Sequence, residues 1–72
     1  MSFGQQIRIA RMSQGMTAAA LARAAHLHES YVSRLENDKS GASIDVLLRL
    51  CRVLKVRPDI LLEWDQAGDH QG

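Results

Sequence analysis

Apolar residues recur along this chain every third or fourth position, and no stretch alternates β-branched with polar residues at period two. In the first segment Phe3, Ile7 and Ala10 fall on one helical face. Ser2 is placed to cap that helix and Gly15 to stop it, so a helix is predicted over residues 2–13. Thr17 opens a second helix before Ala18, Ala19 and Ala20. Its inward side is Leu21, Ala22 and Ala25, small enough to let another helix approach closely. A short third helix, residues 29–37, follows His26-Leu27-His28 and turns Val32 and Leu35 inward. Residues 37–43 read as a loop by composition. Ser43 caps a fourth helix over residues 44–54, with Ile44, Leu47, Leu48, Cys51 and Leu54 expected inward. Pro58 suits the first turn of a fifth helix, Asp59 complements its N-terminal dipole, and Ile60, Leu61, Leu62 and Trp64 supply its apolar surface. From Asp65 onward there is almost nothing to bury. The expected organisation is an all-α domain over residues 1–64 followed by a flexible acidic C-terminal tail over residues 65–72.

Length narrows the function classes. The chain has 72 residues, and a domain of this size buries only about 60% of the surface its unfolded chain exposes. It leaves little room for an enzyme cleft or effector pocket, which takes roughly 300–1,000 Å³. No enzymatic constellation is present, and neither a cofactor nor a small-molecule ligand is expected. The lone Cys51 excludes an internal disulfide framework and points to a reducing compartment. No apolar run approaches the roughly 20 residues of a membrane span, and the first residues do not read as a signal peptide. A soluble, cytoplasmic protein is expected.

The formal net charge of +1 conceals an asymmetry. All nine basic side chains but only four of the eight acids lie in residues 1–58, a balance of +5, and the other four acids follow from Asp59 on. A basic body suits a polyanionic partner, and equally an ordinary solvated surface.

Two short helices joined by a tight turn describe a helix-turn-helix unit, whose second helix lies in the DNA major groove. Many small bundles share that pattern. More specific is the ordered set Phe3-Gly4…Ile7-Arg8…Arg11, Gly15-Met16-Thr17, Leu21-Ala22 and Val32-Ser33-Arg34-Leu35-Glu36-Asn37. It continues in register through Ser43-Ile44…Leu47-Leu48…Leu50-Cys51…Leu54…Val56…Ile60-Leu61. In these residues the chain resembles the Cro/phage-repressor-like (xenobiotic-response-element) helix-turn-helix family over residues 3–62. The resemblance implies a compact five-helix domain of the lambda-repressor-like type, with the helix-turn-helix formed by the second and third helices.

It also implies roles by position. Base contacts fall to His28, Glu29, Ser30, Tyr31 and Arg34. Arg34 can donate two bonds to guanine O6 and N7, and Glu29 can accept from a cytosine amino group. Ser30 and Tyr31 can donate to a base or a phosphate. Phosphate contacts fall to Thr17, Ala18, Asn37, Lys39, Ser40 and Ser43, aided by backbone N–H groups at helix starts. Arg11 and Glu36 occupy the positions of an internal salt bridge. Plainer readings stand beside these: Arg34 as a solvated surface arginine, Glu29 as a partner of the helix dipole, Tyr31 as a ring packed on the domain, Lys39 and Ser40 as ordinary loop residues. The chain departs from the family pattern at Ala18, where a glutamine-type residue is frequent, and at His26, where the turn usually has Gly. It departs again at His28 in place of a Ser or Thr cap, and at Ala42 in place of Pro.

Members of the family usually dimerise and place two recognition helices about 34 Å apart. Val53, Leu62 and Trp64 are the candidates for such a two-fold interface; the alternative is that Trp64 folds back on its own domain. His26, His28 and Cys51 lack metal-ligand spacing, so no metal site is expected. The expected function is a sequence-specific DNA-binding transcriptional regulator, a repressor or autoregulator, that binds a palindromic operator in double-stranded DNA as a homodimer. A protein-interaction module that keeps the same fold, an adaptor or an antitoxin-type partner, is the rival.

Overall fold

The computed structural model describes residues 2–69, with side chains described as far as Asp65. Five helices follow one another: α1 (Phe3–Ser13), α2 (Ala18–Ala24), α3 (Glu29–Glu36), α4 (Ile44–Leu54) and α5 (Pro58–Asp69). Among the described residues there is no strand. Helix α5 runs past Trp64, so the boundary expected at residue 64 falls inside a helix. Residues 70–72 of the expected tail lie outside the described residues.

Three helices begin on the side chains that the sequence offers. The Ser2 hydroxyl accepts from the Gln5 backbone N–H while the Gln5 side chain accepts from the Ser2 N–H, a reciprocal capping box. Thr17 accepts from the Ala20 N–H, and Ser43 from the Val46 N–H. Each such cap is worth about 1 kcal/mol against alanine.

Four helices end in one way. Gly15, His26, Asp38 and Lys55 all take positive φ, between 58° and 70°. Past each of them the chain donates back across five residues: Met16 to Arg11, Leu27 to Ala22, Lys39 to Arg34, and Val56 to Cys51. This left-handed stop satisfies carbonyls that the helix itself leaves without donors. Only the first stop uses glycine. His and Asp tolerate the left-handed region better than most side chains, whereas lysine has no such advantage.

The core is Phe3, Ile7, Leu21, Ala22, Ala25, Val32, Leu35, Leu47, Leu50, Cys51, Leu54 and Leu61. Fully burying a leucine or isoleucine contributes about 1.5–3 kcal/mol. In α4 the buried stripe is Leu47, Leu50, Cys51 and Leu54. Ile44 and Leu48, expected inward, are instead 62% and 49% exposed. Leu48 follows Leu47 by roughly 100° around the helix, which carries it off the stripe, and Ile44 sits at the stripe's outer edge. Leu50 completes the stripe.

Helix α1 packs on α3 and α5, α2 on α3, and α4 on α5. Gly4 sets the first of these contacts. A Cβ built there would lie 2.4 Å from the Leu35 carbonyl oxygen and 2.6 Å from that of Glu36, so the start of α1 rests directly on the end of the α3 backbone. The Gly4 N–H donates to Oδ1 of Asp38 at 2.9 Å, which places a carboxylate on the N-terminal end of α1.

Candidate nucleic-acid interface

Helices α2 and α3 with the turn between them form the unit expected from the sequence. Ala25 is buried at the end of α2. His26 supplies the left-handed residue at which glycine is usual, and Leu27 packs against the core. His28 has the extended backbone of an N-cap, φ −76° and ψ 143°, but makes no side-chain cap bond. Glu29, in the first turn, instead complements the dipole of α3. From behind the turn, Arg49 of α4 donates Nη1 to the His26 carbonyl at 3.1 Å while its Nη2 pairs with Asp45 at 2.9 Å.

Helix α3 is divided lengthwise. Val32, Leu35 and Glu36 are buried, and Glu29, Ser30, Ser33 and Arg34 are exposed beside His28. Ser33, which sequence reasoning did not assign to the contact set, stands in the outward row with Ser30 and Asn37, at the i, i+3, i+7 spacing that keeps residues on one side of a helix.

Of the base-contact candidates, Tyr31 is half-buried, and its hydroxyl donates to the Gly41 carbonyl at 2.7 Å. Its proton is therefore committed inside the protein. Arg34 lies over the Tyr31 ring, with Cζ 5.7 Å from the centroid, and donates Nε to Ser40 Oγ at 3.2 Å. Tyr31, Arg34, Ser40 and Gly41 are thus brought together into one assembly.

The phosphate candidates divide by what they already do. Thr17 and Ser43 use their oxygens as caps at two helix N-termini and remain exposed. Ala18 packs against the core, which leaves its backbone N–H as the group for an anion. Asn37 donates its side-chain amide to the Ser33 carbonyl at 2.8 Å. Lys39 is exposed. Ser40 is half-buried against Arg34.

Arg11 and Glu36 form a planar two-point contact, Nε to Oε2 at 2.7 Å and Nη2 to Oε1 at 3.0 Å. The third nitrogen, Nη1, donates to the Met16 carbonyl at 2.8 Å. The two side chains are only 12% and 6% exposed. The hydrogen bond to Glu36 raises the Arg11 pKa further above its ordinary range, outweighing burial, which lowers it. Arg8, more exposed, stands 3.9 Å from the same carboxylate. The pair fastens α1 to the last residue of α3. Val53, Leu62 and Trp64 are half-buried and packed against the core, each keeping part of its surface outside. Among the described residues no group of three or more His, Cys, Asp or Glu is placed to hold a metal, and no helix is long and apolar enough to cross a membrane.

The chain matches known proteins over this same framework. A family model described as helix-turn-helix covers residues 7–61. The control protein C.BamHI of Bacillus amyloliquefaciens is 32% identical over 68 residues, 93% of this chain and 84% of that protein. The crystal structure of the restriction-modification controller protein C.AhdI from Aeromonas hydrophila is similar with a TM-score of 0.78 and 32% identity, over 82% of this chain and 89% of that one. SinR, a master regulator for biofilm formation solved in complex with DNA, has a TM-score of 0.79 and 33% identity, over 83% of this chain and 97% of that one. With its five helices, its α2–turn–α3 unit and this coverage, the chain belongs to the helix-turn-helix family.

Proposed function

We propose that this chain is a sequence-specific DNA-binding transcriptional regulator that lays α3 in the major groove of a palindromic operator and acts as a homodimer. The observation that carries the reading is the outward face of α3, where Glu29, Ser30, Ser33 and Arg34 stand exposed on a helix whose opposite side is locked into the core. Arg34 reads guanine, Glu29 accepts from cytosine, and the serines bond to either base edges or phosphate. Backbone N–H groups at the starts of α2 and α4, with Lys39, hold the phosphates and supply most of the salt-dependent affinity. Val53, Leu62 and Trp64 form the two-fold contact. A regulator of this kind works in the cytoplasm, on the nucleoid when bound to DNA. No residue is assigned a catalytic role.

The test is a random-oligonucleotide selection with purified protein at about 150 mM salt, where non-specific phosphate binding is weak. The expected result is an enriched inverted repeat, with half-sites about one helical turn apart. Enrichment of a single half-site removes the dimer. No enrichment from folded protein overturns the DNA reading and leaves a protein-interaction module, a reading that the exposed Ile9, Met12, Ile44 and Leu48 also favour.

A further inference from the structure

We propose that Ser40 is a positioning residue for base recognition, setting the preference of Arg34 without itself contacting a base. The inference rests on the DNA-binding reading above and deepens it at one side chain. Arginine carries five N–H donors in a rigid planar fork. In this protein one of them is taken, because Nε donates to Ser40 Oγ. The edge of the guanidinium made by Nε and one Nη is therefore occupied. The other edge, made by Nη1 and Nη2, is left to present two parallel donors, the arrangement that guanine O6 and N7 accept.

The plane of the fork is held as well as its direction. The guanidinium carbon lies over the Tyr31 ring at 5.7 Å, within cation–π range. That ring cannot swing freely, because its hydroxyl is fastened to the Gly41 carbonyl. The adjacent loop residues Ser40 and Gly41 thus hold the arginine and the ring beneath it. The loop itself is tied to α3, since the Lys39 N–H donates to the carbonyl of Arg34. An exposed arginine ordinarily samples many rotamers, and ordering it on binding costs affinity. Ordering it beforehand favours the base that fits the fixed geometry.

This assignment separates Ser40 from its other reading, as a phosphate contact. Loss of a phosphate bond weakens all sequences alike, whereas loss of an orienting bond weakens the preferred base selectively. The experiment measures binding of wild type, Ser40→Ala, Ser40→Thr and Arg34→Ala to the selected site and to variants substituted at the guanine that Arg34→Ala ceases to prefer. The expected result is a roughly two- to tenfold loss of guanine preference in Ser40→Ala, retention in Ser40→Thr, which keeps the oxygen, and no further loss when Ser40→Ala is added to Arg34→Ala. In the free protein, the Arg34 Nε–H resonance should exchange faster with water in Ser40→Ala, and this readout needs no DNA. Guanine preference unchanged in Ser40→Ala, or an equal loss on every sequence, overturns the assignment while leaving the DNA-binding reading intact. A wild type with no preference for any sequence overturns both.

Discussion

Arg11 and Glu36 meet through two parallel hydrogen bonds in a setting from which water is nearly excluded, and so join the first helix to the end of the third. Removing Glu36 leaves the Arg11 charge buried without its partner, and removing Arg11 leaves the buried Glu36 carboxylate with only the more distant Arg8 at 3.9 Å. Arg11→Ala or Glu36→Ala is expected to cost about 3–5 kcal/mol, a large part of what a small domain possesses. Urea denaturation followed by circular dichroism measures it. A loss below about 1 kcal/mol would mean that the pair behaves as an exposed one. Because the arginine's pKa is raised, its share of stability is whole below the unfolded value and is lost only as pH rises through the still higher folded value. The Arg11 contribution is therefore flat from neutral into mildly alkaline solution.

Gly4→Ala reverses an ordinary rule. In most helix interiors alanine is more stable than glycine by about 1 kcal/mol. Here the new methyl would meet the backbone oxygens of Leu35 and Glu36, which cannot rotate away. The variant should lose roughly 1–3 kcal/mol as overpacking pushes α1 off α3. A melting temperature at or above that of wild type would show that the two helices separate at no cost.

Lys55→Gly should stabilise. Lysine at φ 59° bears a left-handed strain that glycine lacks, and the gain is about 1 kcal/mol after the greater entropy of the unfolded glycine is allowed for. Asp38→Gly has the same backbone geometry but loses the carboxylate bonded to Gly4, so it should gain less or nothing. Equal gains at the two positions would show that the bond to Gly4 contributes nothing. Thermal melts of the two variants make the comparison.

Cys51 lies in the core, and burial pushes its thiol pKa up from the ordinary 9.0. A disulfide reagent at mildly alkaline pH should therefore react slowly with the native protein and fast in urea, so that the labelling rate follows unfolding. Native labelling as fast as that of a free thiol would mean that α4 opens locally. The sign of the pH effect is that of a raised acid: its stabilising share is whole below pH 9.0 and is lost as pH climbs through the folded value.

Trp64→Ala should weaken self-association measured by sedimentation equilibrium, because the half-buried ring offers its remaining surface to a second copy. Unchanged association would assign the ring to its own domain and move the two-fold contact elsewhere.

Local rules made part of this structure legible. Ser2, Thr17 and Ser43 are caps because short oxygen-bearing side chains at helix starts have a nearby N–H to receive. Gly15 announced its stop, and the family pattern placed the turn at His26. Asp38 and Lys55 did not, since a left-handed lysine leaves no mark in composition. The pairing of Arg11 with Glu36 came from the resemblance alone, because no spacing rule links positions in separate helices. Angles around α4 explain the difference at Ile44 and Leu48: the buried stripe has four positions where the sequence suggests five, and Leu50 is one of the four. Within the candidate interface the sequence named Tyr31, Arg34 and Ser40 separately. It gave no sign that the three are joined, because the bonds run between a helix and a loop whose path only the fold determines.

The four left-handed stops differ in the residue that closes them. Met16, Leu27 and Val56, which donate the closing bond at three ends, are apolar and packed on the core. At the end of α3 that place belongs to the exposed Lys39, whose backbone closes the stop while its ammonium takes no part in it. The fold has thus divided this residue between two tasks, the main chain terminating a helix and the side chain standing in solvent on an anchored root. A cation held in this way has only its own four side-chain torsions left to order when an anion arrives.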